Sequence, residues 1–80
     1  MRAKLPTLFI SFPSTTAAME AESRFRAGGF PGRLVPVPRE ITAGCGLAWM
    51  SEPEEESRLL SFLRENGLLY EACAVLSYFR

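Results

Sequence analysis

Residues 33–38, Arg-Leu-Val-Pro-Val-Pro, alternate in the manner of a β-strand, yet Pro36 and Pro38 fall on the same parity of the alternation. Proline has no amide hydrogen to give to a neighbouring strand, and residues two apart direct their amides to the same side. A strand from Arg33 to Pro38 therefore fits at the edge of a sheet, with both proline nitrogens facing away from its neighbour. Whatever else the chain forms has to leave this strand on the outside.

The remaining elements follow from periodicity and punctuation. Thr7 to Phe12 alternates, with Leu8, Ile10 and Phe12 on one face and Phe9 and Ser11 on the other, and both faces are apolar enough for a central strand. Ser14 or Thr15 can cap the helix that follows, Thr16 to Ala27, in which Ala17, Ala21 and Phe25 recur once per turn and Glu20–Arg24 and Glu22–Arg26 are favourably ordered pairs. Gly28-Gly29 stops it. Leu47 to Met50 is a short third strand. Ser51-Glu52-Pro53-Glu54 reads as a capping box, opening a helix with Leu59, Leu60, Phe62 and Leu63 as its apolar stripe, a Glu54–Arg58 pair, and Asn66-Gly67 as its stop. Leu69 to Tyr78 alternates again as the last strand. The order βαββαβ, with right-handed crossovers, predicts a ferredoxin-like α+β sandwich: a four-stranded antiparallel sheet with two helices on one face. In that arrangement the second and fourth strands are the edges, which agrees with the prolines of the second.

Eighty residues amount to one domain, expected to span residues 1–80, near the lower size at which a single core is self-sufficient, so a homodimer or a partner surface would be no surprise. Nine basic and nine acidic residues cancel, giving no overall electrostatic reason to bind nucleic acid or an anionic membrane. The charges are nevertheless segregated: Arg24, Arg26, Arg33 and Arg39 precede Cys45, and Glu52, Glu54, Glu55 and Glu56 follow it. The start MRAK-LPTLFISF loosely imitates a secretory signal, but its apolar run is short, is flanked by Pro6 and Pro13, and supplies the first strand. The expected location is cytoplasmic, where thiols stay reduced.

The chain has no His and no Asp, so Ser-His-Asp triads, Cys-His pairs and histidine metal sites are excluded. Its two cysteines lie 28 residues apart and form no CxxC. Cys73 falls within the last strand and reads as a structural thiol. Cys45 is different: it stands between Gly44 and Gly46 in the connection Arg39 to Gly46, which is long for a link between neighbouring strands. Flanking glycines let backbone amides approach whatever the sulfur carries, though they equally suit a plain turn in which the thiol fills an apolar gap. Arg39, and Arg33 in second place, are the cations that could favour a thiolate. A thiol without a general base does not hydrolyse. It can accept, hold and pass on an atom, which needs only exposure and a stabilised anion.

The runs FISFPSTTAAMEAE and FPGRLVPVPREITAGCGLA resemble the small bacterial family of Se/S carrier-like proteins, over about residues 7 to 50. The resemblance implies a carrier of sulfur or selenium with Cys45 as carrier thiol, Gly44 and Gly46 as its backbone cradle, and Arg39 with Pro38 aiming the loop. It implies protein donors and acceptors as partners. No cofactor, metal, nucleic acid or membrane is expected. The general idea is that of the TusA-type sulfur relays, but their Cys-Pro-x-Pro at a helix start is missing here. An accessory protein rather than an enzyme is expected. The alternative is a non-catalytic interaction or oligomerisation module using the sheet edges or face.

Overall fold

The computed structural model describes residues 3–41 and 44–79. In chain order the elements are β1 (Lys4–Ser11), α1 (Thr15–Ala27), β2 (Arg33–Pro36), β3 (Leu47–Ser51), a 3-10 turn (Pro53–Glu55), α2 (Glu56–Glu65) and β4 (Ala72–Phe79). The four strands form one antiparallel sheet in the order β2-β3-β1-β4, so β2 and β4 are its edges. The ladder of β2 continues through Val37, whose amide donates to the Gly46 carbonyl at 3.0 Å. Donation by Val37 puts the amide positions of Pro36 and Pro38 on the outer side, as their shared parity requires.

Both helices pack on one face. Ala17, Ala18, Ala21 and Phe25 of α1 and Leu59 and Leu63 of α2 join Leu8, Ile10, Phe12 and Trp49 in the main core. Phe25 is its hub, with its ring 4.9 Å from that of Trp49 and 5.9 Å from that of Phe62. The helix-free face carries a smaller cluster, in which Phe9, Val35, Ala48 and Met50 are buried beneath Val37, Ile41, Leu76 and Tyr78. Each helix ends in the same way. Beyond α1, Gly29 (φ 75°) donates to Arg26 and Phe30 to Phe25; beyond α2, Gly67 (φ 63°) donates to Arg64 and Leu68 to Leu63. These are Schellman closures, and the residue after each glycine folds back onto the apolar side.

Several expected boundaries shift, each for a local reason. β1 starts at Lys4 rather than Thr7; its register with β4 runs from Lys4 opposite Phe79, and its register with β3 from Leu8 opposite Ser51. Ser51 is no helix cap: it ends β3, and its hydroxyl donates to the Pro31 carbonyl at 2.9 Å, so the chain enters α2 through the 3-10 turn. Arg58 pairs with Glu55 at 2.6 Å instead of Glu54. β4 begins at Ala72 rather than Leu69: the closure of α2 runs to Leu68, and the chain first meets β1 at Glu71, whose amide donates to the Ser11 carbonyl. Of the two α1 pairs, Glu22–Arg26 forms at 3.1 Å, while Arg24 donates to Asn66 Oδ1 at 3.3 Å. Among the described residues, no helix is long and apolar enough to cross a membrane.

Candidate functional site

Cys45 stands at the end of the sheet where β1 finishes and β3 and β4 begin. Its loop spans two layers: Val37 and Ile41 pack on the helix-free cluster, whereas Cys45 packs against the helix-side core. The two arms of the loop thus belong to opposite layers. Thr42 and Ala43 of this connection lie outside the described residues.

The two glycines serve different ends. Gly46 has φ 72°, in the left-handed region that strains any residue with a side chain, and this turns the chain into β3. Gly44 is required by proximity: a Cβ there would stand 2.6 Å from the Pro13 carbonyl oxygen. The amide of Gly44 donates to Glu71 Oε1 at 3.1 Å, and the Glu71 amide donates to the Ser11 carbonyl at 2.7 Å. The loop is therefore held from the end of β1 on one side and the start of β4 on the other. Pro13 leads directly into α1, where Ser14 is the cap, its hydroxyl accepting from the Ala17 amide at 3.1 Å.

The Cys45 sulfur is half-buried. Among the described residues its hydrogen-bond partners are both groups of Leu47: the amide donates to Sγ at 3.4 Å, and the thiol reaches the carbonyl at 3.7 Å. The first contact suits a sulfur anion and the second a protonated thiol, so one residue serves both states. Arg39 is exposed in a turn closed by the Ile41 amide donating to the Pro38 carbonyl at 2.9 Å, on the arm of the loop that packs on the opposite layer from Cys45. Arg33 pairs with Met50 at the far end of β2, whereas Pro36 at its near end pairs with Leu47.

Cys73 is held quite differently. It lies within β4 opposite Ile10, half-buried under α2. Burial first, and then the Glu56 carboxylate beside it, push its thiol up to about 11. Both cysteines are free, and β1 lies between β4, which carries Cys73, and β3, into which the Cys45 turn leads.

Glu71 and Pro13 are the members of this site that sequence spacing does not reveal. The signal that finds them is topological: the strand order brings the end of β1 and the starts of β3 and β4 together, so residues 13, 44 and 71 become neighbours. Comparison with curated proteins and with solved structures returned no match. The family model described as Putative Se/S carrier protein-like matches residues 7–74, which include the whole of this site, and the chain belongs to that family.

Proposed function

We propose that this protein carries sulfur or selenium as a persulfide or selenosulfide on Cys45, receiving it from a donor protein and delivering it to an acceptor. The observation that carries this reading is the setting of Cys45: a half-exposed thiol on a glycine turn anchored at both sides, with the Leu47 amide directed at its sulfur. Gly44 and Gly46 form the cradle, and Arg39, exposed on the preceding turn, is available to a docked partner.

The chemistry is thiol exchange. The Cys45 thiolate attacks the outer sulfur of a donor persulfide, the donor's sulfur–sulfur bond breaks, and the donor cysteine departs as thiolate. Delivery repeats the step, with an acceptor thiolate attacking the outer atom on Cys45 and the Cys45 thiolate leaving. No net oxidant is consumed. Selenium transfer has the same balance. Such an adduct persists only where disulfide-forming conditions are absent, so we place the carrier in the cytoplasm. The fold reading that goes with this proposal is the ferredoxin-like sandwich, supported by the edge positions of β2 and β4 and by both helices packing on one face.

Incubation with a cysteine desulfurase and cysteine, followed by intact-mass measurement, tests it. The wild type and Cys73→Ala gain one sulfur atom, and Cys45→Ala gains none. An unmodified wild type, or equal gain by Cys45→Ala, overturns the proposal. The second reading, an interaction module in which Cys45 is dispensable, draws support from the uncovered edge of β4.

A further inference from the structure

Cys45 is strung between two holds of different kinds. On its C-terminal side the hold is backbone: the Gly46 carbonyl accepts from the Val37 amide at 3.0 Å, and Leu47 enters the ladder opposite Pro36. On its N-terminal side the polar hold, among the described residues, is a single side chain, the Glu71 carboxylate, which accepts from the Gly44 amide at 3.1 Å. Pro13 borders Gly44 too, but a contact of that kind limits approach and does not restrain departure. Glu71 itself is firmly based. Its amide donates to the Ser11 carbonyl at 2.7 Å, and Ser11 leads into Phe12, fully buried in the main core. The backbone of Glu71 thus belongs to the frame of the sheet, and its side chain alone spans the gap to the loop.

We propose that Glu71 is a positioning residue for Cys45: by holding the Gly44 amide it keeps the Cys45 sulfur within reach of the Leu47 amide. That amide donates to Sγ at 3.4 Å, a long contact that survives only while the backbone on both sides of Cys45 is fixed. With Gly44 released, Cys45 pivots on its Gly46 end and the sulfur leaves the amide. The bond from Gly44 to Glu71 is exposed to solvent, so water competes for both groups and its loss costs the fold little. Its effect falls on the thiol. On the carrier reading, on which the functional consequence rests, this hold keeps the attacking thiolate and later the leaving thiolate in one place, and releasing it slows both half-reactions.

The part Glu71 plays belongs to its acceptor oxygen rather than to its charge. Gln keeps an oxygen at the place of Oε1, Ala keeps none, and neither is charged, so the difference between Glu71→Gln and Glu71→Ala isolates the hydrogen bond. In a Cys73→Ala background, iodoacetamide alkylation measured across pH reads Cys45 alone. Steric access scales the rate equally at every pH, whereas the midpoint of the profile follows stabilisation of the thiolate. Glu71→Ala is expected to place that midpoint about half a unit or more above that of Glu71→Gln, while the two variants share one circular dichroism spectrum and one urea midpoint. Loading by a cysteine desulfurase and cysteine follows the same order, with Glu71→Ala gaining sulfur about threefold more slowly than Glu71→Gln. Coincident alkylation profiles for the two variants overturn the assignment, whatever the loading assay gives. So does a shift accompanied by a lower urea midpoint in Glu71→Ala, which would make Glu71 a support of the fold alone. A wild type that takes up no sulfur while the profiles still differ removes the carrier reading and leaves the positioning of Cys45 standing.

Discussion

Cys45 and Cys73 are both half-buried and both border the same core, yet the backbone treats them in opposite ways. Cys73 sits in a ladder, which fixes its side chain on the helix face of β4, where burial and the Glu56 carboxylate oppose ionisation. Cys45 sits on a turn between two glycines, where a backbone amide points at its sulfur. A strand supplies a sulfur with side-chain neighbours, whereas a turn can supply it with N–H groups. Similar exposure thus conceals different chemistry.

The largest test of this contrast is alkylation. With its thiol at about 11, Cys73 is thiolate in about one molecule per thousand at pH 8. Limited iodoacetamide treatment followed by peptide mass mapping is expected to label Cys45 at least about tenfold faster; equal rates would break the distinction. Next in size is the anchoring of the turn. Gly44→Val drives a side chain into the Pro13 backbone, and a loss of about 2–3 kcal/mol in urea unfolding is expected. Gly46→Ala, placed at φ 72°, costs about 1–2 kcal/mol. A Gly44→Val protein as stable as wild type would show that the loop does not lean on β1.

The smallest effect is the pH dependence contributed by Cys73. Its folded-state pKa lies above that of an unfolded thiol, so the native state holds the proton more tightly and stability falls as pH rises. The contribution is complete below about pH 9 and is lost by about pH 11. Discounted for partial exposure, it amounts to about 1 kcal/mol. Cys73→Ala should flatten the wild-type decline over this window in thermal melts at successive pH values, and an unchanged slope would remove Glu56 and burial as its causes.

What could be read from the chain divides along the range of the interactions. Pro36 and Pro38 place β2 at an edge because a missing amide hydrogen is a local property. Gly28-Gly29 and Asn66-Gly67 end their helices for the same kind of reason, and the structure realises both as Schellman closures. Ser51 misleads because its hydroxyl finds Pro31, twenty residues earlier, before it can serve a helix start. At the candidate site, Cys45 and its glycines are visible in sequence as a unit, but the grip on that unit comes from Pro13 and Glu71, 31 residues before and 27 after Gly44. Arg39 looks close to Cys45 along the chain, yet its neighbours Val37 and Ile41 pack on the helix-free cluster and Cys45 on the helix-side core. Sequence distance understates that separation.

The anchoring of Gly44 against Pro13 and Glu71, with β3 starting two residues past Cys45, has a kinetic consequence. A sulfur on so short a tether has no swinging arm; it stays at one end of the sheet, and any partner has to come to it. On the proposed reading, donor and acceptor compete for a single docking place, so transfer runs in alternating half-reactions. Parallel double-reciprocal plots and inhibition of loading by excess acceptor are the expected signature of such a relay.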